Sequence, residues 1–216
     1  MSMKMYEMKV KVTFTDALLG TLPNNTDVFT DYILSKALEA GKTLTDDEIA
    51  AEVAALKSEA EVNEELAAQI EKGTTVFPRT SDGTPFIYDY QWRGFFKEAC
   101  KFLKKVDGTL SSKEKAYKQK IDGMIFVKDR ENPIEVNGEI GICERPLRAS
   151  GPSGERVALS RSESVPEGST CTFTVQTLVE SDLKLVKEWL DYGALHGTGQ
   201  WRNAGRGRYT WELIDV

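Results

Sequence analysis

The chain is poor in the residues that build disulfide frameworks and metal sites, with three cysteines and one histidine among 216 residues. Cys100, Cys143 and Cys171 are odd in number, lie far apart and form no C-x-x-C pair, so we expect buried thiols rather than a disulfide framework or a zinc site. Asp, Glu and His show no metal-ligand spacing, and no metal is expected. The phosphate-loop pattern G-x-x-x-x-G-K-[ST] is absent too, and no cofactor is expected.

Long apolar runs are also missing. Nowhere do 18 consecutive apolar residues occur, so no membrane-spanning helix is expected. Charged residues, beginning with Lys4 and Glu7, interrupt the first residues, which argues against a signal peptide. The sequence therefore predicts a cytoplasmic location and one domain over residues 1–216.

Excess positive charge, the usual mark of a nucleic-acid-binding protein, is absent, since the net charge is −6. The acidity is local, however. Residues 31–72 hold eleven acidic and four basic residues, a net charge of −7, while the remainder has a net charge of +1. Because salt screens charges over about 8 Å, this segment need not cancel a basic surface elsewhere.

A capping-box pattern at 45–48 and an alanine- and glutamate-rich stretch after it predict that 24–75 is an acidic helical insertion.

Glycine and arginine are concentrated between residues 193 and 208, which contain five glycines and three arginines. Glycine allows backbone N–H groups to approach an anion, and arginine offers forked donors that match phosphate oxygens. The stretch is therefore interpreted as a cradle for a phosphate backbone. An ordinary loop with solvated arginines is the alternative. Trp201 is either a side chain that stacks on a base or a lid packed on the preceding helix.

Apolar periodicity predicts an alternation of strands and helices outside the insertion. A strand at 6–14 precedes a helix at 90–105, and a helix at 182–192 precedes a strand at 209–214. Further strands are predicted at 124–127, 134–136, 140–143, 157–159 and 170–179. This is the β-α-β-β-α-β order of a ferredoxin-like, RNA-recognition-motif-like α+β fold.

The sequence predicts hairpin or loop conformations for two segments that connect these elements. Residues 75–88 are predicted to form a short hairpin about the Asp82-Gly83 turn. Residues 144–156 hold Arg145, Arg148 and Arg156 around a Gly/Pro/Ser centre, which predicts a loop or hairpin tip. This segment is interpreted as a β-hairpin finger over a bound strand.

Three segments, in order, resemble the RAMP superfamily, which contains the backbone subunits of CRISPR effector complexes. Residues 85–97 are similar to the family's entry into its first helix, residues 163–173 to its "E-x-VPxGtxF" strand entry, and residues 197–208 to its C-terminal glycine-rich loop. Tyr88-Asp89-Tyr90 departs from the first motif and Asn203-Ala204 from the third. The whole chain also resembles prophage-encoded proteins, which implies the cytoplasm of a bacterium or of a phage-infected bacterial cell.

The resemblance implies non-catalytic binding of single-stranded nucleic acid, RNA rather than DNA, in a groove formed by the glycine-rich loop and the finger. It also implies a homo-oligomeric filament of like subunits. The candidate binding residues are those that bring positive charge, backbone access or an aromatic ring: Arg93, Lys97, Arg145, Arg148, Arg156, Gly197, Gly199, Trp201, Arg202, Gly205, Arg206, Gly207 and Arg208.

Two alternatives remain open. His196, the only histidine, could act as the general acid or base of a metal-independent endoribonuclease, although nothing in the sequence pairs it with a partner base. The chain could instead be a phage protein that engages a host protein complex, with the acidic segment 31–72 as its working surface.

Overall fold

The computed structural model describes residues 4–23, 74–151 and 154–214, and side chains at 146–160 lie outside that description. The predicted acidic insertion, apart from its last two residues, also lies outside the described residues. The chain divides into two compact units. Unit 1 comprises Met1–Leu18, Pro78–Glu139 and Val165–Val216; unit 2 comprises Leu19–Phe77 and Ile140–Ser164. The single-domain organisation stays a prediction.

The strands and helices follow the apolar periodicity of the sequence. The strands are β1 Tyr6–Phe14, β2 Leu18–Leu19, β3 Leu22–Pro23, β4 Thr75–Val76, β5 Phe86–Tyr88, β6 Ile125–Val127, β7 Glu131–Glu135, β8 Gly141–Gly151, β9 Gly154–Val165, β10 Thr170–Thr177 and β11 Tyr209–Ile214. The helices are α1 Asp89–Leu103, α2 Tyr117–Met124 and α3 Asp182–His196. Among the described residues, no helix is long and apolar enough to cross a membrane.

The sheet of unit 1 runs in the order β11-β1-β10-β7-β5, and β6 also pairs with β10. β1 is antiparallel to both neighbours, so that Val10 lies opposite Phe173 on one side and Leu213 on the other. Alternate residues of β1 and β10 are buried because side chains alternate between the faces of a strand. The predicted strands at 6–14 and 209–214 are confirmed, and they pair with each other in this sheet.

Two helices cover the buried face of this sheet. Trp92, Phe95, Phe96 and Ala99 recur at three- and four-residue spacing, which places them on one side of α1, and all four are buried. The Trp92 ring stacks on Phe173 of β10 at 4.2 Å between centroids. Strand, helix, strands, helix and strand thus enclose one core, which confirms the ferredoxin-like α+β fold.

Unit 2 is built around a long two-stranded ribbon. β8 pairs with β9 from Gly141 opposite Ser164 to Gly151 opposite Gly154. The prediction of a loop or hairpin tip over 144–156 is therefore wrong for most of its length, although the finger is a β-hairpin. Backbone pairing does not require apolar alternation, and Pro146 is tolerated because β8 pairs only with β9 and forms the edge.

The hairpin predicted over 75–88 is also corrected. Thr75–Val76 pairs with β3 and β9, whereas Phe86–Tyr88 pairs with β7. Of the predicted hairpin, only the turn about Asp82-Gly83 is present. It consists of a β-bridge between Arg79 and Pro85 and a hydrogen bond from the Gly83 N–H to the Thr80 carbonyl. Pro78 and Pro85 lack the N–H groups that a longer hairpin would need.

The cysteines follow the expectation at two positions of three. Cys100 and Cys171 are buried thiols, and burial raises the pKa of both. Cys143, on the edge strand β8, is only half-buried.

Candidate nucleic-acid interface

The glycine-rich loop begins later than its composition suggests. α3 continues to His196, so Gly193 and His196 are helical rather than part of the loop, and the predicted helix end at 192 is wrong. Gly193 is a packing residue, because a Cβ there would lie 2.0 Å from the Tyr209 hydroxyl. The helix ends at Gly197, whose φ of 82° an L-residue rarely adopts.

Backbone hydrogen bonds close the foot of the loop. The Thr198 N–H donates to the Gly207 carbonyl at 2.9 Å, and the Gly207 N–H donates to the Ala17 carbonyl at 3.0 Å. The Thr15 N–H donates to the Arg208 carbonyl at 2.9 Å. Residues 197–208 are therefore a closed loop anchored to the end of β1, which we call the glycine–arginine loop.

The glycines of this loop allow the backbone conformations on which its closed shape depends. Gly197, Gly199, Gly205 and Gly207 all have positive φ. At Gly207 a Cβ would lie 2.1 Å from the Thr198 carbonyl oxygen, so the closing contact leaves no space for a side chain. Among the described residues, no backbone carbonyl accepts from the N–H groups of Gly199 or Arg206. The loop thus has a backbone fixed by its closing hydrogen bonds and two N–H groups without a backbone acceptor among the described residues.

Trp201 stands at the outer turn of the loop. It is the only non-glycine residue with positive φ in the described part of the chain, at 56°, and 38% of its surface is exposed. A bulky residue in the left-handed region is strained, and such strain is concentrated at functional sites. Its exposure is compatible with stacking on a base.

The three loop arginines differ in their surroundings. Arg208 is exposed and Arg206 is half-buried. The Arg208 guanidinium lies over Gly205, where a Cβ would come within 2.8 Å of it. Arg202 instead contacts the Glu98 carboxylate on α1 through its Nη1. Burial lowers the pKa of Arg202, but a guanidinium remains charged in proteins.

Glu98 also faces His196. Glu98 Oε1 lies 3.6 Å from His196 Nε2, while Glu98 Oε2 binds Arg202. The His196 ring stacks on Tyr192 at 5.0 Å. Burial lowers the pKa of His196, although the Glu98 carboxylate lies nearby. The structure thus places a carboxylate beside His196, but Arg202 binds the same carboxylate, and burial raises the pKa of Tyr192.

If Arg202 contacts phosphate, Glu98 would compete with the ligand for it, and we then expect Glu98→Gln to strengthen binding of single-stranded RNA. One additional phosphate contact would steepen the dependence of log K on log salt by about 0.7. The loop should keep its shape, because backbone hydrogen bonds close its foot. Fluorescence anisotropy at several salt concentrations measures the change. Glu139→Gln, which removes one exposed acid elsewhere in unit 1, is the matched control; equal slopes in the two variants would contradict the competition.

Arg93 and Lys97 lie one turn apart on α1, and each already has an acidic partner. Arg93 pairs with Asp89 at 3.1 Å, and Lys97 pairs with Asp122 at 2.5 Å. We therefore expect them to contribute less to phosphate binding than Arg206 or Arg208.

The finger arginines belong to unit 2. Arg145 is half-buried on β8, and the register puts position 148 opposite Val157 and position 156 opposite Ala149. Because positions alternate between faces, 145 and 156 fall on one face of the ribbon and 148 on the other. One face of the finger therefore holds two of the three arginine positions.

The sequence interpretation missed two half-buried lysines on the second face of the unit 1 sheet. Lys9 lies opposite Thr174, and Lys11 lies opposite Thr172, on the side away from the helices. The alternation that identified the buried residues of β1 also identifies these lysines.

No group of three or more His, Cys, Asp and Glu residues within the described residues could hold a metal ion.

No protein-family model matches the chain, and no curated protein matches it. Solved structures do. One is a chain of the type III-B Cmr-beta complex bound to cognate target RNA, with a TM-score of 0.53 and 11% identity over 98% of this chain and 61% of that chain. Another is a chain of a type IV-B CRISPR complex, with a TM-score of 0.48 and 12% identity over 98% of this chain and 91% of that chain. At these identities the likeness concerns the fold.

Proposed function

We propose that this protein is a RAMP-like subunit that binds single-stranded nucleic acid, RNA rather than DNA, through the glycine–arginine loop and does not cleave it. The observation that carries the proposal is the closed loop, whose foot is fixed by the Thr198–Gly207 hydrogen bond and which presents Arg206, Arg208 and Trp201. A basic loop with an exposed aromatic ring is a general solution for binding single strands.

The chemistry favours the phosphate backbone over base edges. Arginine guanidinium groups and backbone N–H groups contact phosphate oxygens, which are the same in every sequence. We therefore expect little sequence preference. The Cmr-beta complex contains target RNA, which motivates RNA as the ligand. The chain spans 61% of the length of that subunit, so the role of the whole neighbour is not transferred.

The finger arginines are proposed as a second contact region, to be tested on its own. Assembly into a filament, a bacterial or phage cytoplasm, and a host protein partner stay predictions. Nuclease action by His196 is the weaker alternative, because Glu98, the carboxylate that faces His196, is also bound by Arg202.

We expect the double variant Arg206→Gln/Arg208→Gln to weaken binding equally across RNA sequences. Two lost phosphate contacts should reduce the salt slope of log K by about 1.4. Arg202 is left intact because Glu98 already holds it. Anisotropy titrations of labelled oligonucleotides of mixed and uniform sequence, at three salt concentrations, measure both quantities.

The control is Arg79→Gln/Arg130→Gln, which removes the same charge from two exposed arginines elsewhere in unit 1. The control should bind as the wild type does. Absence of binding by the wild type at low salt, or the same slope in both double variants, would contradict the proposed function.

A further inference from the structure

Six lysines form an exposed patch where α1 ends and α2 begins, and the loop site does not use them. They are Lys101, Lys104, Lys105, Lys113, Lys115 and Lys118, which we call the lysine patch. None of the six forms an ion pair in the described part of the chain. Lys97 and Lys120, by contrast, are paired with acids. The sequence from 101 to 118 contains only Asp107 and Glu114 as acids, and Glu114 binds Lys120.

Aromatic rings join this patch to the glycine–arginine loop. Phe102 lies 6.2 Å from Tyr192 and 6.0 Å from His196, between ring centroids. His196 faces Glu98, which binds Arg202 of the loop. We call Phe102, Tyr192 and His196 the aromatic row. It extends from His196, next to the loop, to Phe102 in the patch, entirely within unit 1, while the Glu98 carboxylate lies between His196 and Arg202.

The end of the row at the patch is open. Phe102 is 40% exposed, and the Lys101 ammonium lies 5.8 Å from its ring. The Lys104 ammonium lies 5.8 Å from the Tyr117 ring. Cations beside exposed rings provide charge for phosphates and surfaces for bases within one stretch. Lysine acts as a point charge and requires no bidentate geometry, which suits a flexible backbone.

We infer that the lysine patch and the aromatic row continue the path of a bound single strand beyond the glycine–arginine loop. The inference rests on the proposed function and adds a second phosphate-contact region to it. An acidic protein partner would also meet six lysines, but the exposed Phe102 ring among them, in contact with the rings that lead to His196, favours a strand whose bases can stack.

The path predicts a dependence on ligand length. An oligonucleotide of about 4 residues can occupy the loop alone, whereas one of about 16 residues can reach the patch, these being the extremes of common single-strand site sizes. We expect Lys101→Gln/Lys104→Gln/Lys105→Gln to reduce the salt slope by about 2 for the long oligonucleotide, since each lost contact is worth about 0.7. The short oligonucleotide should bind this variant as it binds the wild type.

The matched control is Lys4→Gln/Lys128→Gln/Lys184→Gln, three exposed lysines outside the patch. Oligo-U of both lengths is titrated against wild type, patch variant, control variant and the loop variant Arg206→Gln/Arg208→Gln. The inference is supported if the patch variant has a reduced salt slope with the long oligonucleotide and the wild-type slope with the short one, while the control variant keeps the wild-type slope with both. Equal slopes in patch and control variants, while the loop variant loses slope, overturn the inference and leave the proposed function standing. Failure of the wild type to bind either ligand overturns both.

Discussion

Replacing Trp92 by alanine is expected to lower the free energy of unfolding by about 3–5 kcal/mol, because the substitution removes a large buried ring and leaves a cavity. Trp92 has no exposed surface and stacks on Phe173 at 4.2 Å. It also makes edge contacts with Phe95 and Tyr209, each at 6.3 Å between centroids. The ring therefore joins α1 to two strands of the unit 1 sheet, and its loss affects the whole core.

Urea denaturation followed by circular dichroism measures this change as a lower midpoint at unchanged slope. Trp92→Phe is the control and should recover much of the loss. Phenylalanine keeps most of the ring and removes the indole N–H, which has no hydrogen-bond partner in the described part of the chain. A loss below about 1 kcal/mol for the alanine variant would be typical of a surface position and would contradict the described core.

Gly207→Ala is expected to open the glycine–arginine loop and to weaken RNA binding by on the order of tenfold, the equivalent of about 1.4 kcal/mol. Two effects act at this residue. Its φ is +69°, and a Cβ would lie 2.1 Å from the Thr198 carbonyl oxygen and 3.2 Å from Leu18 Cδ1. The backbone cannot move away without breaking the hydrogen bonds that join Gly207 to Thr198 and Ala17.

Gly83→Ala separates these two effects. Gly83 has a similar φ of +85°, but an added Cβ would meet nothing within 4 Å. The control variant should carry only the penalty of the left-handed backbone, about 1–2 kcal/mol of stability, and bind RNA normally. Denaturation midpoints and anisotropy titrations are compared for both variants. Normal RNA binding by Gly207→Ala would show that the closed loop is not required.

Much of the fold was predictable because burial selects periodic apolar residues. Val10 and Val12 alternate along β1, and Trp92, Phe96 and Ala99 follow a helical period, so these elements could be assigned from local patterns. The full length of the β8–β9 ribbon could not be predicted from local patterns, because its strands are held by backbone pairing and their residues lack apolar alternation. The last turn of α3 was missed because glycine normally disfavours helix, while Gly193 is retained for the space that Tyr209 occupies.

The candidate site was predictable in position but not in its contacts. Composition locates the glycine–arginine loop, and both Gly197 and Gly207 have the backbone conformations that glycine permits. The role of Glu98 was hidden because its partner Arg202 is 104 residues away in the sequence. The aromatic row was hidden for the same reason, since Phe102 and Tyr192 belong to different helices.

The central position of β1 governs when this protein can fold during synthesis. β1 emerges from the ribosome well before β10 and β11, its two neighbours in the sheet. The hydrogen bond between the Glu7 and Gln176 side chains alone spans 169 residues. Such distant pairing is slow to form, and until it does, the apolar side of β1 remains available to chaperones and to other nascent chains. The unit 1 sheet can thus be completed only after β11 has been translated, and the glycine–arginine loop can be anchored beside β1 only once Gly207 and Arg208 are present.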